Sequence, residues 1–476
     1  MMLKQRMLLL RMLLLRRLSR TNKQLSVMGF SKVRYAKPAS VMLITLGCSK
    51  NRVDSEHLLR QMESAGVTLL PDNYEVGTAF TTPCDAIIIN TCGFIKDAKV
   101  ESINTIFSAI NAKNAGITKY VFVFGCLSQR YKDELVADIP EVDGFFGAFD
   151  ISGVLDAMSI GRNASCEQER YLTTPKHYAY LKISEGCNRH CAYCSIPGIR
   201  GRHKSVPIEE LVKEAENLAK NGVRELIVVA QDTTYYGLDL YRRRALADLL
   251  GQLCKVDGIE WIRVHYSYPA QFPKNVLRVM ASQPKICKYL DIPLQHASTK
   301  VLALMKRSID MEGTQRLIDE IRETVPGIVL RTTMIVGHPG EDKREFEKLL
   351  AFVKHNRFEM LGAFTYSEEE GTYGAKHYKD SVRESTKQKR YDELMELQAT
   401  ISNEIHLYRI GSVEKVIVDS FSDGILHCRS MYESPDVDGE IKVVPAGIEN
   451  PADFVGNFIT VKITGSDDYD WEGCIV

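Results

Sequence analysis

Short apolar runs alternate with amphipathic stretches along most of the chain. Val41-Met-Leu-Ile-Thr-Leu, Asp85-Ala-Ile-Ile-Ile-Asn-Thr and Lys119-Tyr-Val-Phe-Val-Phe are each followed at once by a Gly–Cys or Cys–Gly pair. Continuous apolar runs of this length, separated by helical periodicity over 55–65 and 96–111, predict a parallel sheet with crossover helices. Residues 150–175 show little apolar periodicity and read as a connector. Over 176–375 six strands are predicted (178–184, 225–230, 261–266, 289–293, 329–336, 360–366). Helices at 207–220, 245–253, 274–282, 299–322 and 344–354 fall between them, the pattern of an open (β/α)6 partial barrel. A long charged helix with periodic Leu and Ile spans 381–409 and reads as a packing linker. Short β-runs at 413–419, 424–430, 439–444 and 458–465, with turn signals between them, predict a small antiparallel β-barrel. The expected fold class is therefore α/β: an N-terminal parallel α/β sheet domain (41–157), a central partial (β/α)6 barrel (173–405) and a C-terminal small antiparallel β-barrel (408–476).

Composition narrows the class. A chain of 476 residues with 45% hydrophobic and 26% charged residues has the balance of a soluble protein of several domains. The formal net charge of zero argues against a whole-chain nucleic-acid binder. No apolar run is long and clean enough to span a bilayer. Charge is nevertheless uneven. Residues 1–40 hold ten Lys or Arg and no acid. Within them Met7-Leu-Leu-Leu-Arg-Met-Leu-Leu-Leu-Arg-Arg could form a basic amphipathic helix, as a transit peptide or a membrane-surface segment does. The preferred reading is an upstream start-codon choice, with Met28 or Met42 as the true start, rather than a basic leader, because the first recognisable strand begins at Val41. From Tyr408 onward five Lys or Arg face thirteen Asp or Glu, a net of −8. Such a barrel repels phosphates and attracts a basic protein; a merely solubilising surface is the plainer alternative.

The cysteines carry the chemistry. Twelve in a chain of this length suggest metal ligation in a reducing compartment, so a cytoplasmic location is expected. Cys187, Cys191 and Cys194 stand in Cys-x3-Cys-x2-Cys spacing on the loop that follows the first barrel strand. Three thiolates so placed can hold three irons of a [4Fe–4S] cluster and leave the fourth iron open for a small molecule. A structural zinc site is disfavoured, since His190 lies between the cysteines and no second Cys pair follows nearby. Cys48, Cys92 and Cys126 each lie at the carboxyl end of a predicted N-terminal strand, the edge where ligands collect in such sheets. They form a second candidate trio, whereas Cys84 precedes its strand. Cys166 has no assigned role, and Cys254 and Cys287 are expected to be core residues at helical or helix-end positions. The ends of the barrel strands are polar: Gln231-Asp-Thr-Thr, His265-Tyr-Ser, Gln295-His, Arg331-Thr-Thr and Gly337-His-Pro-Gly-Glu. Arg331 is open to two readings, a carboxylate contact to a ligand or a structural ion pair.

Cys187 to Cys194, with Tyr193 before the last cysteine, resembles the Cys-x3-Cys-x-aromatic-Cys signature of the radical S-adenosylmethionine (SAM) superfamily. That resemblance implies SAM bound at the open iron and cleaved to a 5′-deoxyadenosyl radical. It also implies SAM contacts from Tyr193, Gln231, Gln295 and Arg331, although the superfamily's Gly-Gly-Glu motif is absent after the second strand. Thr45-Leu-Gly-Cys-Ser-Lys-Asn-Arg-Val-Asp-Ser-Glu, Asn90-Thr-Cys-Gly-Phe-Ile and Gly125-Cys-Leu resemble the N-terminal domain of the methylthiotransferases, in which these cysteines hold an auxiliary [4Fe–4S] cluster. The C-terminal β-runs resemble the TRAM domain that closes the same family.

The family resemblance implies two [4Fe–4S] clusters, SAM as radical source and methyl donor, an electron donor such as flavodoxin or ferredoxin, and a sulfur donor. It offers two substrates. One is an adenosine beside the anticodon of transfer RNA. The other, for the RimO-type subgroup, is the β-carbon of an aspartate in small-subunit ribosomal protein S-twelve. The acidic C-terminal barrel and the stretch from Leu181 to Pro197 favour the protein substrate. The basic run Arg200, Arg202, His203 and Lys204 is the argument for RNA.

Overall fold

The computed structural model describes residues 34–476; the basic N-terminal segment lies outside the described residues as far as position 33. Two compact units are formed. Unit one takes the chain up to Thr173 together with Tyr193–Arg202 and Ser367–Lys376; unit two takes Thr174–Ala192, His203–Tyr366 and His377–Val476.

Unit one is built on β1 (Ser40–Thr45), β2 (Thr68–Leu70), β3 (Cys84–Thr91), β4 (Thr118–Gly125) and β5 (Gly144–Phe145) in the order β2-β1-β3-β4-β5. Every pairing is parallel. The central strands are covered on both faces, which is why they read as unbroken apolar runs rather than alternating ones. Ile87, Ile89, Val121 and Val123 pack with Ile103, Ile106 and Ile110 on one face. Ile88, Phe122 and Phe124 pack with Leu58, Met62 and Val154 on the other. Tyr35 stacks edge-on against Tyr120 and Phe122, so the residues just before β1 already belong to this core. The expected connector is likewise tied in. Arg170 and Glu56 form a fully buried pair at 2.7 Å, and the Thr173 N–H and hydroxyl both donate to the other oxygen of Glu56 at 2.9 Å. Cys166 is buried and accepts from the Gln61 amide.

Unit two opens with β6 (Tyr178–Lys182). A short antiparallel ribbon follows, made of β7 (Ser184–Glu185) and β8 (Lys204–Ser205). Then come β9 (Glu225–Val229), β10 (Trp261–Val264), β11 (Ile286–Asp291), β12 (Val329–Val336) and β13 (Met360–Thr365). The order β13-β12-β11-β10-β9-β6 is an open six-stranded sheet, parallel throughout. Two expectations need correction. The strand expected at 289–293 begins at Ile286, so Cys287 is a strand residue, buried with Trp261, Tyr289 and Ile417. The helix expected over 299–322 is two helices, Thr299–Leu304 and Met311–Thr324. It breaks because the Met305 carbonyl accepts from the Ala192 N–H, Lys306 turns into the left-handed region at φ 55°, and Asp310 caps the second helix by accepting from the Gly313 N–H.

The last element is a closed barrel of β14 (Val413–Ser422), β15 (Ile425–Ser430), β16 (Ile441–Val443), β17 (Phe458–Ser466) and β18 (Trp471–Ile475) in the order β14-β15-β16-β18-β17. Periodicity missed β18, and the β16–β18 pair that closes the barrel is parallel, not antiparallel. The barrel is seated on the six-stranded sheet by charge. Glu225 is shared by Arg263 and Arg429, each at 2.8 Å. Arg429 also holds Asp419 at 2.6 Å, which holds His177 at 2.7 Å. Trp261 meets Phe458 edge-on. Part of the barrel's acidity is thus spent inside the protein. Among the described residues no helix is long and apolar enough to cross a membrane.

Burial alone would raise the Glu225 and Asp419 pKa values, but Arg429 and Arg263 beside Glu225, and Arg429 and His177 beside Asp419, outweigh it and hold both below the usual carboxylate range. A carboxylate with a depressed folded pKa stabilises fully above its unfolded value of about 4 and loses that contribution as pH falls through the folded value. Glu225→Gln leaves two buried guanidinium groups short of a partner and should cost about 3–5 kcal/mol in chemical unfolding at neutral pH. Lys343→Ala, which removes an exposed pair with Glu347, should cost less than about 0.5 kcal/mol. The gap between wild type and Glu225→Gln should narrow below about pH 4; a gap independent of pH would mean that the carboxylate's charge is not what holds the barrel.

Candidate metal centres

Cys48 lies just beyond β1, Cys92 immediately follows β3 and Cys126 immediately follows β4, while Cys84 begins β3 at the opposite edge. Parallel pairing therefore gathers the first three and excludes the fourth. Their turns are tight. Gly47 has φ +90°, and a Cβ there would stand 2.8 Å from Cys92 Cβ and 3.0 Å from its sulfur. Gly125 has φ +105°, and a Cβ there would meet Asn90 Oδ1 at 2.4 Å. Asn51 ties the turns together, its side-chain N–H groups donating to Leu46 O at 2.9 Å and Thr91 O at 3.2 Å. Asn90 returns a bond to Asn51 O at 2.8 Å.

The three thiols differ in electrostatics. Burial pushes Cys92 up to about 12, and its neighbours Cys48 and Cys126 push in the same direction. Burial also raises Cys126, against the pull of Arg200. Cys48 is lowered: burial would raise it, but Lys50, Arg200 and the backbone N–H groups of Asn51 and Lys50 together prevail. Cys48 precedes the helix Ser49–Ser64, whose first N–H groups favour its thiolate, and Cys126 opens the helix Cys126–Asp138. Arg200, at the end of the short helix Ile196–Arg200, brings its Nε to 3.3 Å from Cys126 Sγ. An all-sulfur donor set with a buried cation fits an iron–sulfur cluster, which carries net negative charge on thiolate ligands. Among the described residues no group of three or more Cys, His, Asp or Glu has the arrangement to hold a metal ion of its own.

In unit two the second cysteine loop springs from β6 and the β7–β8 ribbon. The Arg189 N–H donates to Cys187 Sγ at 3.4 Å. Asn188 Oδ1 accepts from the His203 N–H at 3.0 Å. The Arg189 side chain pairs with Asp232 at 2.8 Å and lies 4.0 Å from the Tyr268 ring centre. Arg307 lies 4.1 Å from the same ring, donates to Cys191 Sγ at 3.8 Å and to Pro293 O at 2.5 Å. Burial pushes Cys187 up to about 11, with Asp232 and Cys191 adding to the rise. Tyr193 and Cys194 follow on the same loop and belong to unit one.

Gln231 lies two residues beyond β9 and Gln295 four beyond β11, both at the carboxyl edge. Gln295 takes φ 73° and bridges to β12 through Thr333 and Ile335. Arg331 is elsewhere. It is the third residue of the eight-residue β12, its guanidinium 3.2 Å from Asp438 and 3.6 Å from Asp291, so the ion-pair reading describes it. His265 likewise bonds Ser434 of the barrel rather than lining a mouth. Sequence reasoning missed Arg189, Asp232, Tyr268 and Arg307. Asp232 had a signal, standing next to Gln231 in the polar strand end; Arg307 was hidden inside the helix expected over 299–322.

Three family descriptions match successive parts of the chain: the uncharacterized protein family UPF0004 over residues 40–147, the radical SAM superfamily over 181–353 and the TRAM domain over 410–476. The chain is 48% identical over 441 residues to the ribosomal protein uS12 methylthiotransferase RimO of Bacteroides fragilis, covering 92% of this chain and 100% of that one. It is 49% identical over 440 residues to the protein of the same name from Porphyromonas gingivalis, covering 92% and 99%. Among solved structures, the radical S-adenosylmethionine methyltransferase TsrM from Kitasatospora setae, with cobalamin and a [4Fe-4S] cluster bound, matches with a TM-score of 0.51 at 14% identity over 88% of this chain and 84% of that one, a likeness of fold. With close to half of its residues shared over nearly its whole length, the chain belongs to the RimO family of radical SAM methylthiotransferases.

Proposed function

We propose that this chain methylthiolates the β-carbon of an aspartate in ribosomal protein uS12, in the cytoplasm. It would draw on SAM, an electron donor such as flavodoxin or ferredoxin, and a sulfur donor. The observation that carries the reading is that each set of three cysteines has a buried arginine on one of its sulfurs, Arg200 on Cys126 and Arg307 on Cys191. When bound, a [4Fe–4S] cluster on Cys187, Cys191 and Cys194 supplies the electron that cleaves SAM to a carbon radical, and a second on Cys48, Cys92 and Cys126 supplies or carries sulfur.

The protein's own groups prepare that chemistry. Asn188 and Asp232 fix the loop so that Cys187 and Cys191 keep their spacing. Tyr193, Gln231 and Gln295 are the side chains we assign to SAM. Arg331 is committed to Asp438 and is left out of that set. An unactivated C–H bond offers no acidic proton to a His or Glu base, so a carbon radical suits hydrogen abstraction better than an acid–base constellation would.

Substrate choice rests on charge. Asp423, Glu449, Asp453, Asp467, Asp468 and Glu472 of the barrel are exposed, an acidic surface suited to a basic protein. The basic run offers RNA little, because Arg200 and His203 are buried and only Arg202 and Lys204 face outward.

Replacing Cys48, Cys92 and Cys126 by Ala should halve the iron of the reconstituted protein and leave 5′-deoxyadenosine formation intact while abolishing sulfur transfer. Replacing Cys187, Cys191 and Cys194 should also halve the iron but abolish 5′-deoxyadenosine; equal loss of SAM cleavage from both would contradict the division of labour. In cells, deletion of the gene should remove one methylthio group from uS12, read from intact masses of the small-subunit proteins. Loss of a methylthio group from a transfer-RNA adenosine, with uS12 unchanged, would transfer the protein to the RNA substrate.

A further inference from the structure

Arg200 is 3% exposed, and its guanidinium is held at both ends. Nη1 and Nη2 each stand 3.2 Å from Asp54 Oδ2, and Nη2 donates to Asn51 Oδ1 at 2.6 Å. The Phe149 ring lies over the guanidinium at 5.7 Å. These contacts, all made by the Nη groups, fix the guanidinium plane. Its Nε–H points at Cys126 Sγ at 3.3 Å. An ion pair with Asp54 alone would need no sulfur contact. Asn51, which accepts from Arg200, also ties the turns behind Cys48 and Cys92. Arg200 is thus built into the frame that spaces all three cysteines.

We propose that Arg200 is a positioning residue that sets the electron affinity of the auxiliary site, by donating a charge-assisted hydrogen bond to the Cys126 sulfur. The proposal rests on the reading that Cys48, Cys92 and Cys126 hold an iron–sulfur cluster. Reduction adds negative charge to such a cluster, and both a hydrogen bond to a ligand sulfur and a buried positive charge favour the reduced form. Asp54 weakens the cation's field at long range but leaves the directed N–H···S contact in place. Lysine would keep the charge without the planar, multiply anchored donor, so Arg200→Lys and Arg200→Met separate charge from geometry.

The test uses the full-length chain with Cys187, Cys191 and Cys194 replaced by Ala, so that any reconstituted cluster belongs to the auxiliary site. Iron and sulfide content come first, then the midpoint potential from an EPR-monitored redox titration. The expected result is a cluster in the parent, a clearly more negative midpoint potential in Arg200→Met, and an intermediate one in Arg200→Lys. If Arg200→Met fails to retain iron while Arg200→Lys retains it, the lysine variant decides: a potential more negative than the parent's supports the proposal, and the parent's potential overturns it. A loaded Arg200→Met with the parent's potential overturns the proposal while leaving the cluster reading intact. Loss of iron from both variants also overturns it, since Arg200 would then act only in holding the fold. A parent without iron overturns the cluster reading, and the role of Arg200 with it.

Discussion

Parallel pairing of β1, β3 and β4 is the constraint on which the N-terminal site depends. Parallel strands in one sheet begin at one edge and finish at the other, so residues that follow their last hydrogen-bonded positions must meet whatever their separation in sequence. Cys48, Cys92 and Cys126 meet for that reason, and Cys84, at the start of β3, cannot join them. The apolar faces of the sheet support the arrangement, because Ile88 and Ile89, buried on opposite faces, leave β3 no room to slip in register. A one-residue slip would turn its whole side-chain set over and carry Cys92 away from its partners.

Charge plays a different part at the other end of the chain. The C-terminal barrel carries more acids than bases, and several of those acids are structural. Asp419, Glu433 and Asp438 each face a buried or half-buried arginine, namely Arg429, Arg409 and Arg331. Buried pairs of this kind repay their desolvation only when both partners are present, so they specify where the barrel sits more than they add stability. The acids that could meet a partner are the ones left outside, at Asp423, around Glu449 and Asp453, and on the β17–β18 turn with Asp467 and Asp468. A count of charges along the sequence mixes the two groups and overstates the surface available for docking.

The fold was legible wherever one periodicity held without interruption. β12 and the helix Lys274–Ser282 fall where the pattern put them, and the strand-end positions of Cys48, Cys92 and Cys126 follow from the same pattern. The rest was hidden for identifiable reasons. β18 is five residues long and closes its barrel by a parallel pair with β16, a contact between distant segments that local alternation does not report. The break at 305–310 depends on a hydrogen bond from Ala192, more than a hundred residues earlier, while the local sequence reads as one amphipathic helix. Arg331 was open to two readings because the strand expected over 329–336 does not reveal what its third residue meets, which is Asp438, more than a hundred residues later. Each miss concerns a residue whose partner is remote, which single-sequence periodicity does not encode.

The same reasoning changes the meaning of the basic run after Cys194. Read along the chain, Arg200, Arg202, His203 and Lys204 look like a phosphate-binding stretch. In the fold they divide. Arg200 turns inward to Cys126, Asn51 and Asp54, His203 turns inward to Ser205 and Tyr235, and Arg202 and Lys204 turn out. A buried arginine is costly to keep, since its desolvation must be matched by anionic partners, and Asp54 alone needs no guanidinium aimed at sulfur. The run is therefore better understood as chain that brings a cation to Cys126 than as a phosphate-binding stretch.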